Sequence, residues 1–259
     1  MRLVFWLLGG VLLAIIALPL MRLALEPSLA GLLAAARDVD VRAALWLSLA
    51  GAFLAAIVSA LFGVPLAYIL ARGRFRGRGL VAAIIDLPLS VPHTVAGIAL
   101  LMVFGRRGII GEPAEALLGL RFWSTLAGVV VAMVFVAAPY TVNSARIGFE
   151  AVDPRLEMVA RTLGLGPWSV LRRITLPLAW HGIATGLTLT FARGISEFTA
   201  VAILVYYPMT APVKIYELFL RFGLNEAAAA AVLLLALSLG LFVLFRHFAY
   251  GAAVARTGR

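Results

Sequence analysis

Six stretches of this chain stay apolar for longer than a soluble core requires. Residues 3–25, 41–70, 80–104, 122–148, 176–206 and 227–248 each reach the roughly 20 residues that an α-helix needs to cross the hydrocarbon of a bilayer. Backbone N–H and C=O groups in hydrocarbon must be bonded within their own segment, so blocks of this length are read as helices. The charge content agrees. Only 13% of residues are charged and 63% are hydrophobic, whereas a soluble domain carries about 25% charged residues. The expected fold is an all-α integral membrane protein of about six transmembrane helices, one domain over residues 1–259. The first stretch outlasts the roughly 7–15 residues of a secretory signal's apolar region, so it is expected to remain as an anchor. There is no cysteine, which excludes disulfides, zinc–thiolate sites and thiol catalysis. No internal repeat, long linker or low-complexity tail interrupts the pattern.

The formal net charge of +10 would suit nucleic acid if it lay on one open face. It is distributed instead by loop. One set of connections holds Arg2, Arg72, Arg74, Arg76, Arg78, Arg146, Arg155, Arg161, Arg172, Arg173, Arg246, Arg256 and Arg259 against Glu150, Asp153 and Glu157. The other holds Arg22, Arg37, Arg42, Arg106, Arg107, Arg121, Lys214 and Arg221 against Glu26, Asp38, Asp40, Glu112, Glu115, Glu217 and Glu226. The first set carries the whole excess. The positive-inside rule puts it in the cytoplasm, with both termini, in a multi-pass protein of the inner membrane. The arginine-rich run at residues 72–79 is then a topogenic loop, and no nucleic-acid partner is expected.

The loop at residues 150–177 holds a second signal. Asp153 can cap a helix that begins at Pro154. Leu156, Val159, Ala160 and Leu163 fall on one apolar face by helical spacing, and Gly164 is placed to end the helix in the left-handed conformation. A second short helix can start at Pro167, with Trp168, Leu171 and Ile174 on one side, before Pro177 marks entry into the fifth span. Two amphipathic helices at this interface can lie on lipid or dock into a groove of a partner. Periodicity leaves both open.

The same loop resembles the cytoplasmic coupling motif of binding-protein-dependent ABC importer permeases, which begins Glu-Ala-Ala, has Gly six positions after the Glu and ends Ile-x-Leu-Pro. Ala160, Gly164, Ile174, Leu176 and Pro177 match in register. Met158 stands where the Glu is usual and Val159 where the first Ala is usual; Glu157 is adjacent but about 100° around the helix. The resemblance extends over nearly the whole chain: residues 92–111 are similar to the third span of molybdate and sulfate permeases, and residues 192–217 to the molybdate/tungstate branch. Sulfate relatives usually have Gly-Glu-Phe-Gly where this chain has Ser196-Glu197-Phe198-Thr199. The resemblance implies a type I ABC importer permease that works as a dimer with a second copy of itself. It further implies an ATP-binding cassette ATPase dimer on the cytoplasmic side and a periplasmic or extracellular oxyanion-binding protein on the other. Asp153, Arg155, Leu156, Glu157, Met158, Val159, Ala160, Arg161, Leu163, Gly164, Leu165 and Trp168 would form the ATPase contact. No Gly-x4-Gly-Lys-Ser/Thr run is present, so ATP and Mg would belong to the partner, with no cofactor and no metal in this chain. About eleven residues follow Phe248, and the cytoplasmic regulatory domain of some molybdate permeases is not expected.

Polar residues within the spans are the candidates for the pathway, because intramembrane charges usually face the bundle or a cavity. Arg193 and Glu197 are spaced i, i+4 and can pair, either as a self-neutralising structural unit or as part of a gate. Pro88 and Pro92 predict a kink or break in the third span. His93 beside that break, with Ser90, Thr94 and Ser196, can line a path or simply bond to neighbouring helices. A membrane enzyme would need converging polar groups, yet His93, His181 and His247 are scattered and no HExxH run is present. A secondary transporter or channel would have no need of the coupling loop. A sulfate or thiosulfate importer remains the alternative substrate reading.

Overall fold

Small residues decide which helices lie closest. A computed structural model describes residues 2–257, with side chains on the last helix as far as Leu244. Arg259 lies outside the described residues, as do the side chains of Arg246, His247, Phe248 and Arg256. α1 (Arg2–Leu25) is followed by the short α2 (Leu29–Arg37) and the long α3 (Val39–Arg72). α4 (Arg78–Ser90) and α5 (His93–Phe104) form a bent pair, and α6 (Gly111–Leu118) precedes α7 (Leu126–Glu150). α8 (Pro154–Thr162), α9 (Pro167–Val170) and one turn of π-helix (Leu171–Thr175) lead into α10 (Leu176–Ile195). α11 (Thr199–Leu204), α12 (Ala211–Phe222) and α13 (Leu224–Thr257) follow.

The centre is α7 against α10, with α3 alongside both. A Cβ on Gly182 would lie 2.6 Å from the Cα of Gly148, and one on Gly186 would lie 3.0 Å from the Cα of Thr141. Side chains are excluded there, so the two backbones touch. This is the close approach that small residues allow in lipid, where packing rather than the hydrophobic effect joins helices. α3 turns Ser48, Gly51, Ala55, Ser59, Gly63 and Ala67 inward. Apolar clusters form on either side of the mid-bundle, one around Val129, Met133, Phe191 and Val201, the other around Leu70, Val142, Phe149 and Ile183. Between them on α7 sits Thr141, whose hydroxyl shares a 2.6 Å hydrogen bond with that of Thr190; Thr190 also lies 2.9 Å from the carbonyl of Ala137.

α1, α3, α7 and Leu224–Leu244 of α13 are long and apolar enough to cross a bilayer alone, and α4 with α5 add a fifth span if the pair is one crossing. α10 has 20 residues, about 30 Å of helix, and holds its place by burial between α3, α7 and α13. Two spans differ from the sequence reading. The expected span at 80–104 is bent by 113° at Val91 and Pro92. The expected span at 176–206 stops at Ile195 and resumes as α11 at Thr199. Residues 122–125 also lie before α7, where Thr125 accepts from the N–H of Gly128 as the N-cap. α1 buries none of its residues and touches the bundle mainly through α13, a surface fit for lipid.

Ion pairs keep to the two charge sets. Arg72–Glu157, Arg78–Glu150 and Arg146–Glu150 join members of the basic set. Arg22–Glu26, Arg121–Glu115, Lys214–Asp40, Lys214–Glu217 and Arg221–Glu217 join members of the other. Hydrogen bonds from Lys214 and Arg221 hold the Glu217 carboxyl on α12 below its ordinary value, against the opposing effect of burial.

Candidate functional site

Two places gather the residues that the sequence singles out. The first is where both broken spans are interrupted. Val91 precedes a proline and is extended, as the proline ring requires of its neighbour, and Pro92 then caps α5. His93 is thereby the first residue of α5. In the other broken span Ser196, Glu197 and Phe198 separate α10 from α11, and Glu197 Oε1 accepts from the N–H of Ala200, 2.9 Å away, where α11 begins. The Ser196 hydroxyl donates to the carbonyl of Arg193 at 3.0 Å. α5 and α11 pack together after their breaks, with Gly97 so close that a Cβ there would meet Ala200 Cα at 3.2 Å.

Arg193 joins the two interruptions. Its Nη2 lies 2.9 Å from Glu197 Oε2 and donates to His93 Nε2 at 2.8 Å. Arginine carries no acceptor, so the imidazole nitrogen accepts. His93 Nδ1 stands 3.8 Å from Glu197 Oε2. Burial is graded across the trio: the side chain of Glu197 is 2% exposed, Arg193 22% and His93 44%. Ser90, Pro92, Thr94 and Ser196 are exposed around it. The i, i+4 pair expected from sequence forms, but not on a continuous helix, because α10 ends before Glu197. The cluster presents a histidine at its surface and keeps its arginine matched to a carboxylate.

The second place is the loop after α7. Asp153 accepts from the N–H of Arg155 at 2.9 Å and caps α8 behind Pro154. Gly164 has φ +86°, the left-handed stop expected of it. Leu156, Met158, Val159, Leu163 and Trp168 are about half exposed or more, and Arg155 and Arg161 are also exposed while Leu165 is partly covered. Ala160 departs from the expected apolar face: it is buried against the chain, together with Glu157. The helix expected to start at Pro167 does so, but it is not separate from the fifth span. α9 passes through the π-turn straight into α10, and the π-turn stands immediately before Pro177, which has no N–H to give to the turn preceding it.

Glu157 is where sequence reasoning fell short. Sequence reasoning counts it among the residues of the ATPase contact, about 100° around the helix from Met158, and gives it no partner in its own chain, while Arg72 reads only as a topogenic charge. In the fold Arg72 Nε and Nη2 reach Glu157 Oε1 at 3.1 and 2.9 Å, Nη2 also donates to the carbonyl of Val152 at 2.8 Å, and Thr175 Oγ1 donates to the same Oε1 at 3.0 Å. Asp86, another intramembrane charge, accepts from Asn143 Nδ2 at 2.7 Å. Among the described residues no group of three or more His, Asp or Glu side chains could hold a metal ion.

Residues 63–257 match the model of the family described as binding-protein-dependent transport system inner membrane component. Over 241 residues the chain is 42% identical to the molybdate/tungstate transport system permease protein WtpB of Thermococcus kodakarensis, covering 92% of each. Over 205 residues it is 38% identical to the molybdenum transport system permease protein ModB of Escherichia coli, covering 78% of this chain and 89% of that one. Among solved structures it is similar to the bacterial alginate ABC transporter in complex with alginate pentasaccharide-bound periplasmic protein. The TM-score is 0.72 at 19% identity, over 95% of this chain and 93% of that one.

Proposed function

This chain belongs to the inner-membrane components of binding-protein-dependent transport systems, and we propose that it is the permease subunit of an ATP-driven importer of molybdate or tungstate. The observation that carries the substrate is the 42% identity to a molybdate/tungstate permease, running through 92% of both chains. The coupling motif in register at Ala160, Gly164, Ile174, Leu176 and Pro177 supports the drive.

In this reading the exposed apolar side of α8 with Trp168 docks on one of a pair of ATP-binding cassette subunits, which hold ATP and Mg. The positive-inside rule places that side, and both termini, in the cytoplasm. Two copies of the chain form the pathway, and an oxyanion-binding protein delivers substrate to the other face. ATP binding closes the ATPases and moves α8. The permease turns outward, accepts the oxyanion, and resets on hydrolysis. The energy need is concrete: a divalent anion entering against an inside-negative potential costs about 4.6 kcal/mol per 100 mV, twice the single-charge value.

The interrupted ends at Ser90–Thr94 and Arg193–Glu197 are the proposed pathway segment. Irregular backbone at membrane depth is tolerated where it is buried in protein or lines a cavity. Arg193 is matched by Glu197, so an oxyanion would pass without meeting a bare guanidinium that would hold it. Selectivity then rests with the binding protein.

The test is elemental. Cells with and without this gene are grown in limiting molybdate and tungstate at constant sulfate, and cellular molybdenum, tungsten and sulfur are measured by mass spectrometry. A selective loss of molybdenum or tungsten is expected. Unchanged metals with impaired sulfate uptake would move the substrate to sulfate and keep the permease.

A further inference from the structure

Among the described residues, the side-chain hydrogen bonds that α8 makes to the bundle run through one carboxylate. Its close backbone packing is against α9 and the π-turn, and most of its side chains point away. Glu157 alone among its charged residues is buried, with its side chain 7% exposed. The single atom Oε1 accepts from Arg72, the last residue of α3, and from Thr175, the last residue of the π-turn that opens α10. Arg72 also holds the carbonyl of Val152, between α7 and α8. Two elements that traverse the bundle, α3 and, through the π-turn, α10, therefore converge on a side chain carried by a helix lying outside it, and Arg72 ties in the connection after α7 as well. The Arg72 side chain is 18% exposed. A charge pair so far from water does not separate readily, because each partner left alone is a desolvated ion.

We infer that the Arg72–Glu157–Thr175 node is the joint through which displacement of α8 is passed to α3 and α10, and that Glu157 is a positioning residue for coupling rather than part of the ATPase contact. This rests on the reading of α8 as the ATPase-docking helix. The register supports the division of labour. Met158, at the position where an acid is usual, faces outward at 56% exposure, while the acid one residue earlier turns in. An apolar outward face can dock on the ATPase while the ionic contact is made within the chain.

The test uses the assembled complex of permease, ATPase and binding protein in proteoliposomes. The chain has no native cysteine, so an Ile109→Cys variant, at a site 79% exposed beyond α5, carries a single spin label. ATP hydrolysis, ATPase retention and the ATP-dependent change in the label are read together. In Glu157→Gln, ATPase retention and hydrolysis are expected to stay comparable to the parent. The label response should fall by at least about fivefold, the lower end of a coupling between linked sites. Arg72→Gln should behave the same, and the double variant should be no worse than either single one. Arg72→Lys keeps the charge but loses the fork, so it should give an intermediate response and covers the case in which a neutral variant does not fold. A full label response in Glu157→Gln would overturn the joint. So would a fall matched by an equal loss of bound ATPase, since Glu157 would then belong to the docking surface. If the parent complex responds to ATP but takes up neither oxyanion, the substrate reading fails and the joint stands.

Discussion

The Glu197 side chain sits at a place with almost no access to solvent, paired with the guanidinium of Arg193. Removing one partner of a buried pair leaves an uncompensated ion, which costs about 3–5 kcal/mol, whereas neutralising both is far milder. Arg193→Ala is therefore expected to lower stability by about that amount. Adding Glu197→Gln should recover most of it, because the amide oxygen can still accept from the N–H of Ala200. Unfolding of the purified variants in detergent measures this, and equal loss in the single and double variants would show that the pair is not what holds the break. Transport by the double variant separates the two readings that spacing left open: normal uptake makes the pair structural. At this scale the sequence was informative wherever the chemistry is local. The Asp153 cap and the left-handed Gly164 are fixed by residues within a few positions of each other, and both are present. The partner of Glu157 was not readable, because helical spacing gives angles between side chains but not which side turns toward an arginine 85 positions away.

The pairing of α7 with α10 depends on the absence of side chains along a shared line. Gly182→Ala would place a Cβ 2.6 Å from the Cα of Gly148 and 2.7 Å from the carbonyl of Ser144. Neither obstacle is the end of a flexible side chain, so the helices must separate. Overpacking of this kind typically costs about 1–3 kcal/mol, and a lower midpoint of thermal unfolding in detergent, with reduced yield, is expected. Gly240→Ala on α13 is the control: nothing lies within 4 Å of its Cβ, and its midpoint should not fall. The long helices were legible because hydropathy marks them directly; α3 runs from Val39 to Arg72 where 41–70 was read. Of the short ones, α8 and α9 were announced by Pro154 and Pro167, but three others were not. α2, α6 and α12 lie in connections, too brief to register against the apolar blocks beside them. The prolines announced the interruption between α4 and α5, yet its 113° bend is set by what the two halves pack against, α7 for one and α11 for the other. Between α10 and α11 there is no proline. That break coincides with Glu197, whose ion pair and cap are tertiary facts as much as local ones.

Seen as a whole, the molecule separates its loop charges into two sets that, among the described residues, do not exchange partners, and this makes its orientation testable. Each arginine at the centre of a bilayer costs about 2.5–3.5 kcal/mol on insertion scales, so the run of Arg72, Arg74, Arg76 and Arg78 resists transfer to the far side. The bend between α4 and α5 raises a specific question, because such a pair can be one broken crossing or a segment that turns back to the side it left. Arg76 lies before the pair and Leu117 after it, and both are exposed. In a chain with no cysteine of its own, Arg76→Cys and Leu117→Cys can be probed separately with a membrane-impermeant maleimide. Intact cells should label Leu117→Cys and not Arg76→Cys, and inside-out vesicles should show the reverse. The opposite pattern would invert the molecule and overturn the placement of the coupling loop in the cytoplasm. Labelling of both from one side would make α4 and α5 a re-entrant segment. α6 would then share a side with the arginine-rich loop. The segregation of ion pairs argues against that outcome, since Glu115 of α6 pairs with Arg121 and with none of the arginines before α4. The carboxylates near those arginines, Glu150 and Glu157, come from the end of α7 and from α8. A single crossing through the bend keeps each group of charges on its own side of the membrane, with the matched trio of His93, Arg193 and Glu197 between them.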